Sequence, residues 1–277
     1  MLRQLYKRHL IRTGLSLLIL LVFLLHVGGH YRIEALDQLE LFTYDQRVKL
    51  TTPGGVDGRI VIVDIDEKSL AAEGRWPWSR NKLAMLLEQL FEKYGVAVVG
   101  FDVVFAEPDE TSGFKVLKGL AEYEFKDMPS FGVAVDGLEH ELNYDQIFAD
   151  AIARYPVILG FTFTNSTTTG VLPKPVFFQN EFKGRGISFF GLDGFTANMA
   201  KFQNVALGAG HFTHSIDGDG VVRKIPMLHA YGEELHESLS LAIARAVLNV
   251  ENILPGYAEV GGVGGKEYSG VEWLSLG

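Results

Sequence analysis

The stretch SRNKLAMLLEQLFEKYGVAVVGF, residues 79–101, places a helix signal directly before a strand signal. Leu83, Leu86, Leu87, Leu90 and Tyr94 recur at helical spacing behind Ser79, whose hydroxyl suits a helix cap, and Gly95 can end the helix. Val96 to Phe101 is then an apolar run short enough for a strand covered on both faces. Upstream, Ile60, Val61, Ile62 and Val63 form a similar β-branched run that ends on Asp64. Strand, helix and strand in that order predict a parallel pair joined by a right-handed crossover.

Working outward, residues 143–155 put Ile147, Phe148, Ala151, Ile152 and Tyr155 on one helical face. Pro156 stops that helix just before a strand over 157–163. Residues 207–213 and 221–231 flank Ile216-Asp217-Gly218-Asp219-Gly220, which has the composition of a hairpin loop. A last helix over 236–249 turns Leu239, Ala242, Ile243, Ala246 and Val247 inward. The predicted class is α/β: an N-terminal transmembrane helix, then one mixed, mostly parallel sheet with helices on both faces and an antiparallel hairpin near the C-terminus. Residues 111–142 and 165–203 lack a period, and loops of that length read as lids, partner surfaces or plain decoration.

The chain has 277 residues, no cysteine, and a net charge of −9 from 34 acids and 25 bases. Such a chain excludes a disulfide scaffold, a thiolate metal site and a disordered polymer. The charge is unevenly placed: Arg3, Lys7, Arg8 and Arg12 give residues 1–12 a charge of +4, leaving −13 for the rest. A part so acidic is repelled by polyphosphate backbones, so nucleic acid is not among the expected partners.

Residues 13–29, beginning TGLSLLILLVFLLHV, carry no charge, and 17 residues is the short end of what spans a bilayer. The expected organisation is a cytoplasmic basic head at 1–12, a membrane anchor at 13–29, a stalk helix at 31–50 and an extracytoplasmic domain at 51–277. A cleaved signal peptide, with Val27-Gly28-Gly29 as its small-residue context, is the other reading of the same run. Either way the localisation expected is the inner or plasma membrane, with the domain on the periplasmic or extracellular side. The helix over 31–50 carries Ile33, Leu36, Leu39 and Phe42 on one stripe and Leu41, Tyr44 and Val48 on another, too wide an arc for an ordinary surface helix. It either pairs with a second copy, which makes a homodimer, or packs on its own domain, before Thr52-Pro53-Gly54-Gly55 breaks it.

Ligands of open α/β sheets bind beyond the carboxyl ends of the strands. Asp64 and Asp66 follow the first expected strand and Asp102 the second, with Thr162 and Thr164 at the end of the third. Trp76, Trp78 and Arg80 lie on that same edge, within Arg75-Trp76-Pro77-Trp78-Ser79-Arg80. Asp64, Asp66, Trp76, Trp78, Arg80 and Asp102 are therefore the candidate ligand-binding residues. The structural alternative is that the aspartates cap turns and the arginines close an ion-pair network. Asp64-Ile65-Asp66 after a strand resembles the first motif of haloacid-dehalogenase phosphatases, which makes a Mg-dependent phosphohydrolase the enzymatic alternative. Lys68 and the lack of a downstream acidic pair depart from that pattern.

Asp217-Gly218-Asp219-Gly220 begins like a calcium loop, but Val221 breaks the alternation and no glutamate closes it, so it reads as a Gly-rich turn. His211 and His214 would face opposite sides of a strand, and no metal is assigned to them. No Walker A loop, GxGxxG fingerprint or GxSxG elbow is present, so no cofactor and no catalytic residue are assigned.

Taken in order, Tyr44-Asp45-Gln46-Arg47, residues 59–70 (RIVIVDIDEKSL) and Gly74-Arg75-Trp76-Pro77-Trp78-Ser79-Arg80 resemble the type-two branch of the CHASE domains, the cyclase- and histidine-kinase-associated sensory extracellular modules. The resemblance continues through residues 99–109 (VGFDVVFAEPD), Gly210-His211-Phe212, residues 217–226 (DGDGVVRKIP) and Ser238-Leu239-Ser240-Leu241-Ala242. It implies an extracytoplasmic sensor, preceded by one membrane helix and followed in typical members by further membrane helices and a cytoplasmic output. Those outputs are adenylate or guanylate cyclases, diguanylate cyclases, or histidine or serine/threonine kinases. No second apolar run precedes Gly277, so this chain is read as a sensor without its output, responding to an unknown small molecule or ion. A non-enzymatic surface interaction protein is the remaining alternative.

Overall fold

The computed structural model describes residues 2–182, 187–257, 271 and 273–276, and the chain divides into two units, Met1–Asp64 and Ile65–Gly277. The first holds two helices, α1 (Leu2–Val27) and α2 (Glu34–Thr51). Glu34 and Asp37 in the first turn of α2 and Lys49 in its last complement the helix dipole, and none of its residues is buried.

The expected membrane span is not realised: among the described residues no helix is long and apolar enough to cross a membrane. α1 closes at Val27, while Gly28 and Gly29 belong to the turn behind it, Gly29 at φ +74°. The helical part of the uncharged run, residues 13–27, extends about 22 Å at 1.5 Å per residue, short of the roughly 30 Å of a hydrocarbon core. The single N-terminal span, and the localisation that rested on it, are corrected accordingly.

A second correction concerns residues 60–63. Ile60, Val61, Ile62 and Val63 are 55–88% exposed and form no strand, so the run joins no sheet. β-branched side chains favour extended backbone, but a strand needs a neighbour for its amides, and no described strand pairs with this run.

The second unit contains α3 (Glu67–Glu73), α4 (Arg80–Glu88), β1 (Val99–Phe101), α5 (Phe114–Glu122), α6 (Pro129–Gly137), α7 (Glu139–Leu142), α8 (Tyr144–Arg154) and β2 (Val157–Thr164). There follow β3 (Thr168–Thr169), β4 (Phe177–Phe178), β5 (Gly194–Thr196), α9 (Ala200–Gln203), β6 (Gly208–His211), β7 (Leu228–Tyr231), β8 (Glu234–Glu237), α10 (Leu239–Leu248), β9 (Leu254–Gly256) and β10 (Trp273–Ser275). Ser79 stands at the N-cap of α4, which widens into a π-type turn over Gln89–Lys93 before Gly95 turns the chain at φ +65°. Asn143 caps α8 by accepting from the Gln146 amide, and Ser238 caps α10 by accepting from Leu241. The aperiodic 111–142 segment holds α5, α6 and α7.

Among the described residues, three sheets stand where a single one was expected. β2 is the centre of the first: β1 and β6 flank it in parallel, at Val99↔Val157 and Ile158↔Gly208, and β5 joins its far end antiparallel at Thr162↔Thr196, with β3 beside β5. The second sheet is antiparallel, in the order β4-β8-β7, and β9 pairs with β10 apart from both. The C-terminal hairpin is therefore β7-β8, turning at Gly232 with φ +56°, rather than 207–213 with 221–231. β6 is built from Gly208, Ala209, Gly210 and His211, small enough at three of four positions to enter a sheet covered on both faces.

Alternation sorts β2 into two faces. Val157, Leu159, Phe161 and Phe163 pack with Leu83 and Leu87 of α4, Phe148 and Ile152 of α8, and with Phe105 and Phe202, all in the main core. α10 covers the other face at very close range. A Cβ on Gly100 would come within 2.2 Å of Ile243, and one on Gly210 within 2.5 Å of the Leu239 backbone. Because backbone cannot step aside, Gly210→Ala is expected to cost about 1–3 kcal/mol by chemical denaturation. Gly119→Ala, inside α5 with open space around it, should be neutral or stabilise by up to about 1 kcal/mol.

Candidate functional site

The six residues singled out from sequence have different surroundings in the structure. Asp64 ends the first unit as an exposed residue. Asp66 caps α3, accepting from the amide and hydroxyl of Ser69, which pull its pKa down. Asp102 is exposed just beyond β1. Trp76 and Trp78 meet edge to face at 6.1 Å, and the Trp78 indole donates to the Gly74 carbonyl. A carboxylate crevice of the predicted kind requires residues 60–63 in the sheet, where they are not.

Arg80 is the member with a built environment. Its backbone N–H donates to Asp109 at 2.6 Å, its Nη2 to the Glu107 carbonyl, and its guanidinium lies 4.5 Å above the Phe105 ring. Its Nε stands 3.8 Å from Asp145, both side chains being 11% exposed, and Asp145 in turn accepts from the Asp109 amide. Burial lowers the Arg80 pKa and raises that of Asp145, in each case against the pull of the opposite charge. Arg80 thus ties α4 to α8 and to the loop after β1 through a charge pair largely withdrawn from water. Asp109 and Asp145 could not be singled out in sequence, since each pairs with Arg80 only through the fold.

The Asp217–Asp219 turn is closed in the same manner. Arg223 donates to both carboxylates, and its hydrogen bonds hold Asp219 down to about 2. Among the described residues no group of three His, Cys, Asp or Glu side chains is placed to hold a metal ion.

Space for a ligand lies elsewhere, within the second unit, in a cavity of about 910 Å³ beside the start of β6. Phe177, Val176 and Ile253 supply apolar wall, and Gln203, Glu237 and Arg245 the buried polar part. Arg245 on α10 is bonded at each of its three nitrogens: Nη1 with Glu237 at a very short distance, Nε with the Val250 carbonyl, and Nη2 with that of Glu251. Glu237 keeps its second oxygen, Oε2, without a hydrogen-bond partner among the described residues, as does Gln203 its Oε1. Burial raises the Glu237 pKa, with Arg245 opposing. In the sequence this site had no signal beyond Arg245 lying on the polar side of the last helix. The expectation of ligands at the carboxyl strand ends points to the opposite end of β6.

A family model described as the CHASE2 domain matches residues 16–273. No curated protein and no solved structure matches the chain.

Removing Arg80 leaves Asp145 buried without its cation, so Arg80→Met is expected to lower stability by about 3 kcal/mol or more. Asp145→Asn still accepts from the Asp109 amide and should cost less than half as much, both read from denaturant midpoints.

Proposed function

Since the chain belongs to the CHASE2 family of sensory extracellular domains, we propose that it is the input domain of a signal-transduction receptor and that a small molecule held in the cavity beside Glu237 is what it reads. The domain is a sensor and not a catalyst. The observation that carries the ligand reading is that two residues of the cavity lining, Glu237 and Gln203, each keep a buried acceptor, Oε2 and Oε1, without a hydrogen-bond partner among the described residues. A buried acceptor left unpaired costs about 1–3 kcal/mol, which a bound donor recovers. With the Arg245 charge already paired to Glu237 and each of its nitrogens bonded, the unpaired acceptors favour a molecule that donates hydrogen bonds, above all a small amine.

Occupancy then acts through α10, which carries Arg245 at the cavity and is packed against β6. Any such change requires the ligand to bind one arrangement better than another. The signal passes to a cyclase or kinase output through pairing of α2 with α2 of a second copy, where Leu39 and Phe42 stand exposed.

Putrescine, spermidine and arginine, with glucose and glycerol as neutral controls, provide the test by thermal shift. At about a hundredfold excess over Kd a bound amine contributes roughly 2.7 kcal/mol of apparent stability. Glu237→Gln and Asn252→Trp, the latter at an exposed position on the cavity wall, should abolish the shift. No shift with any amine, or one that survives Asn252→Trp, overturns this ligand assignment. Cysteine crosslinks at Leu36, Leu39 and Phe42 should join two copies, and their absence would remove the paired-helix route.

A further inference from the structure

Three histidines from separate strands meet inside the second unit. His211 of β6, His229 of β7 and His236 of β8 are 0%, 0% and 1% exposed. His229 and His236 are direct cross-strand partners, and His211 forms a bridge with Ser238, the residue that follows β8. That last bridge joins the first sheet to the second, so the cluster sits in the seam between them.

Phe163 of β2 is the common neighbour of all three rings. It stacks on His229 at 3.9 Å and 4°, and its centroid lies 5.7 Å from His211 and 5.8 Å from His236. His211 and His229 are themselves 5.4 Å apart. Both ring nitrogens of His211 and of His229, and Nδ1 of His236, have no hydrogen-bond partner among the described residues. A phenyl ring at the shared centre leaves no place for a metal among the imidazoles, in keeping with the absence of any metal-competent group among the described residues.

Charge around the cluster is sparse. β2 presents Phe161 and Phe163, β6 presents His211, and β7 presents His229, with Tyr231 stacked on Phe163 and Phe190 edge-on to His229. Among the described residues, the one carboxylate in contact with a cluster ring is Glu234 on β8, whose Oε2 lies 3.3 Å from His236 Nε2. Glu237, next along β8, is occupied by Arg245 on the side where α10 lies. Imidazolium in this setting would have lost its water and gained at most one partner for three positive charges.

We propose that the cluster makes the domain acid-responsive: the three imidazoles stay neutral while the seam is closed, take up protons when it opens, and acidification therefore releases the second sheet from the first. Protons are thus an input distinct from the cavity ligand, and a domain that binds no amine would still respond to them.

The direction follows from the burial. His211 is pushed down to about 3, by burial first and then by His229 and His236; His229 is pushed down to about 4 by burial, partly offset by the nearby Ala230 backbone. Burial lowers His236 as well, with Glu234 opposing. An opened, hydrated histidine returns to 6.5. Below 6.5 the open state binds protons that the closed state refuses, so the seam weakens as pH falls from 6.5 toward about 4 and regains full strength above 6.5.

Hydrogen exchange of the whole chain, corrected for intrinsic rates, tests this between about pH 7 and about pH 5. Amides of Gly208–His211, Leu228–Tyr231 and Glu234–Glu237 are compared with those of Arg80–Glu88. Opening at the seam should rise about tenfold for each of His211 and His229 per unit below the free-histidine value, with His236 adding in the same direction and no comparable rise in the helix. His211→Phe and His229→Phe keep an aromatic ring without a titrating group and should each remove about one such factor. Imidazole NMR of the unmodified protein is independent of how the variants fold: the His211 and His229 rings should remain neutral in the closed form at about pH 5, and the His236 ring should titrate below the free-histidine value. The proposal is overturned by seam exchange that tracks the helix, by an undiminished acid response in the Phe variants, or by rings that titrate near 6.5 in the closed form.

Discussion

Every backbone donor and acceptor of β2 has to be met inside the protein, because the strand is buried from Val157 through Phe161 and has no edge facing water. Much of the second unit follows from that demand. Parallel β1 serves one side at the start of the strand, antiparallel β5 takes over the same side at its end, and β6 serves the other side. Helices are then required on both faces, since a strand with apolar side chains above and below cannot leave either to solvent. α4 and α8 supply one cover through Leu83, Leu87, Phe148 and Ile152, and α10 the other. The glycines at 100 and 210 are where the second cover touches the sheet itself.

The elements that read correctly from sequence are those whose pattern and whose burial agree. α4 shows its period in Leu83 and Leu87, α8 in Phe148 and Ile152, and β2 shows an unbroken apolar run, because each is decided by water exclusion over several turns or residues. Residues 60–63 carry just as strong a β pattern, yet intrinsic preference for extended backbone names no partner, and pairing is a property of the whole chain. The same limit moved the hairpin: Asp217-Gly218-Asp219-Gly220 does turn, through the Gly220 amide to the Asp217 carbonyl, without joining two strands of one sheet. Residues 13–29 count as a spanning length only if the two glycines at their end remain helical, which glycine resists.

The site residues divide along the same line. Trp76, Trp78 and Arg80 stand together in sequence, so their nearness was legible; the partners that define Arg80, Asp109 and Asp145, arrive through a loop and another helix. His211, His229 and His236 are spread over three strands and carry no motif spacing. What the sequence did hold was the residue type, and alternation alone was enough to separate buried His211 from exposed His214. The polar groups that the interior leaves unsatisfied, at Glu237, Gln203 and the histidines, are features of packing that no one-dimensional pattern records.

Close approach of α10 to β6 also has a mechanical side. Where the first residue of a helix rests on strand backbone with no side chain between them, neither rotation of the helix about its axis nor lift-off has any travel available. Sliding along the strand remains, the shear mode by which tightly packed layers move. The joint therefore behaves as a stiff coupling rather than a hinge. A displacement imposed where Arg245 grips Glu237 reaches Ser238, and through it the strand paired at His211, without being absorbed on the way.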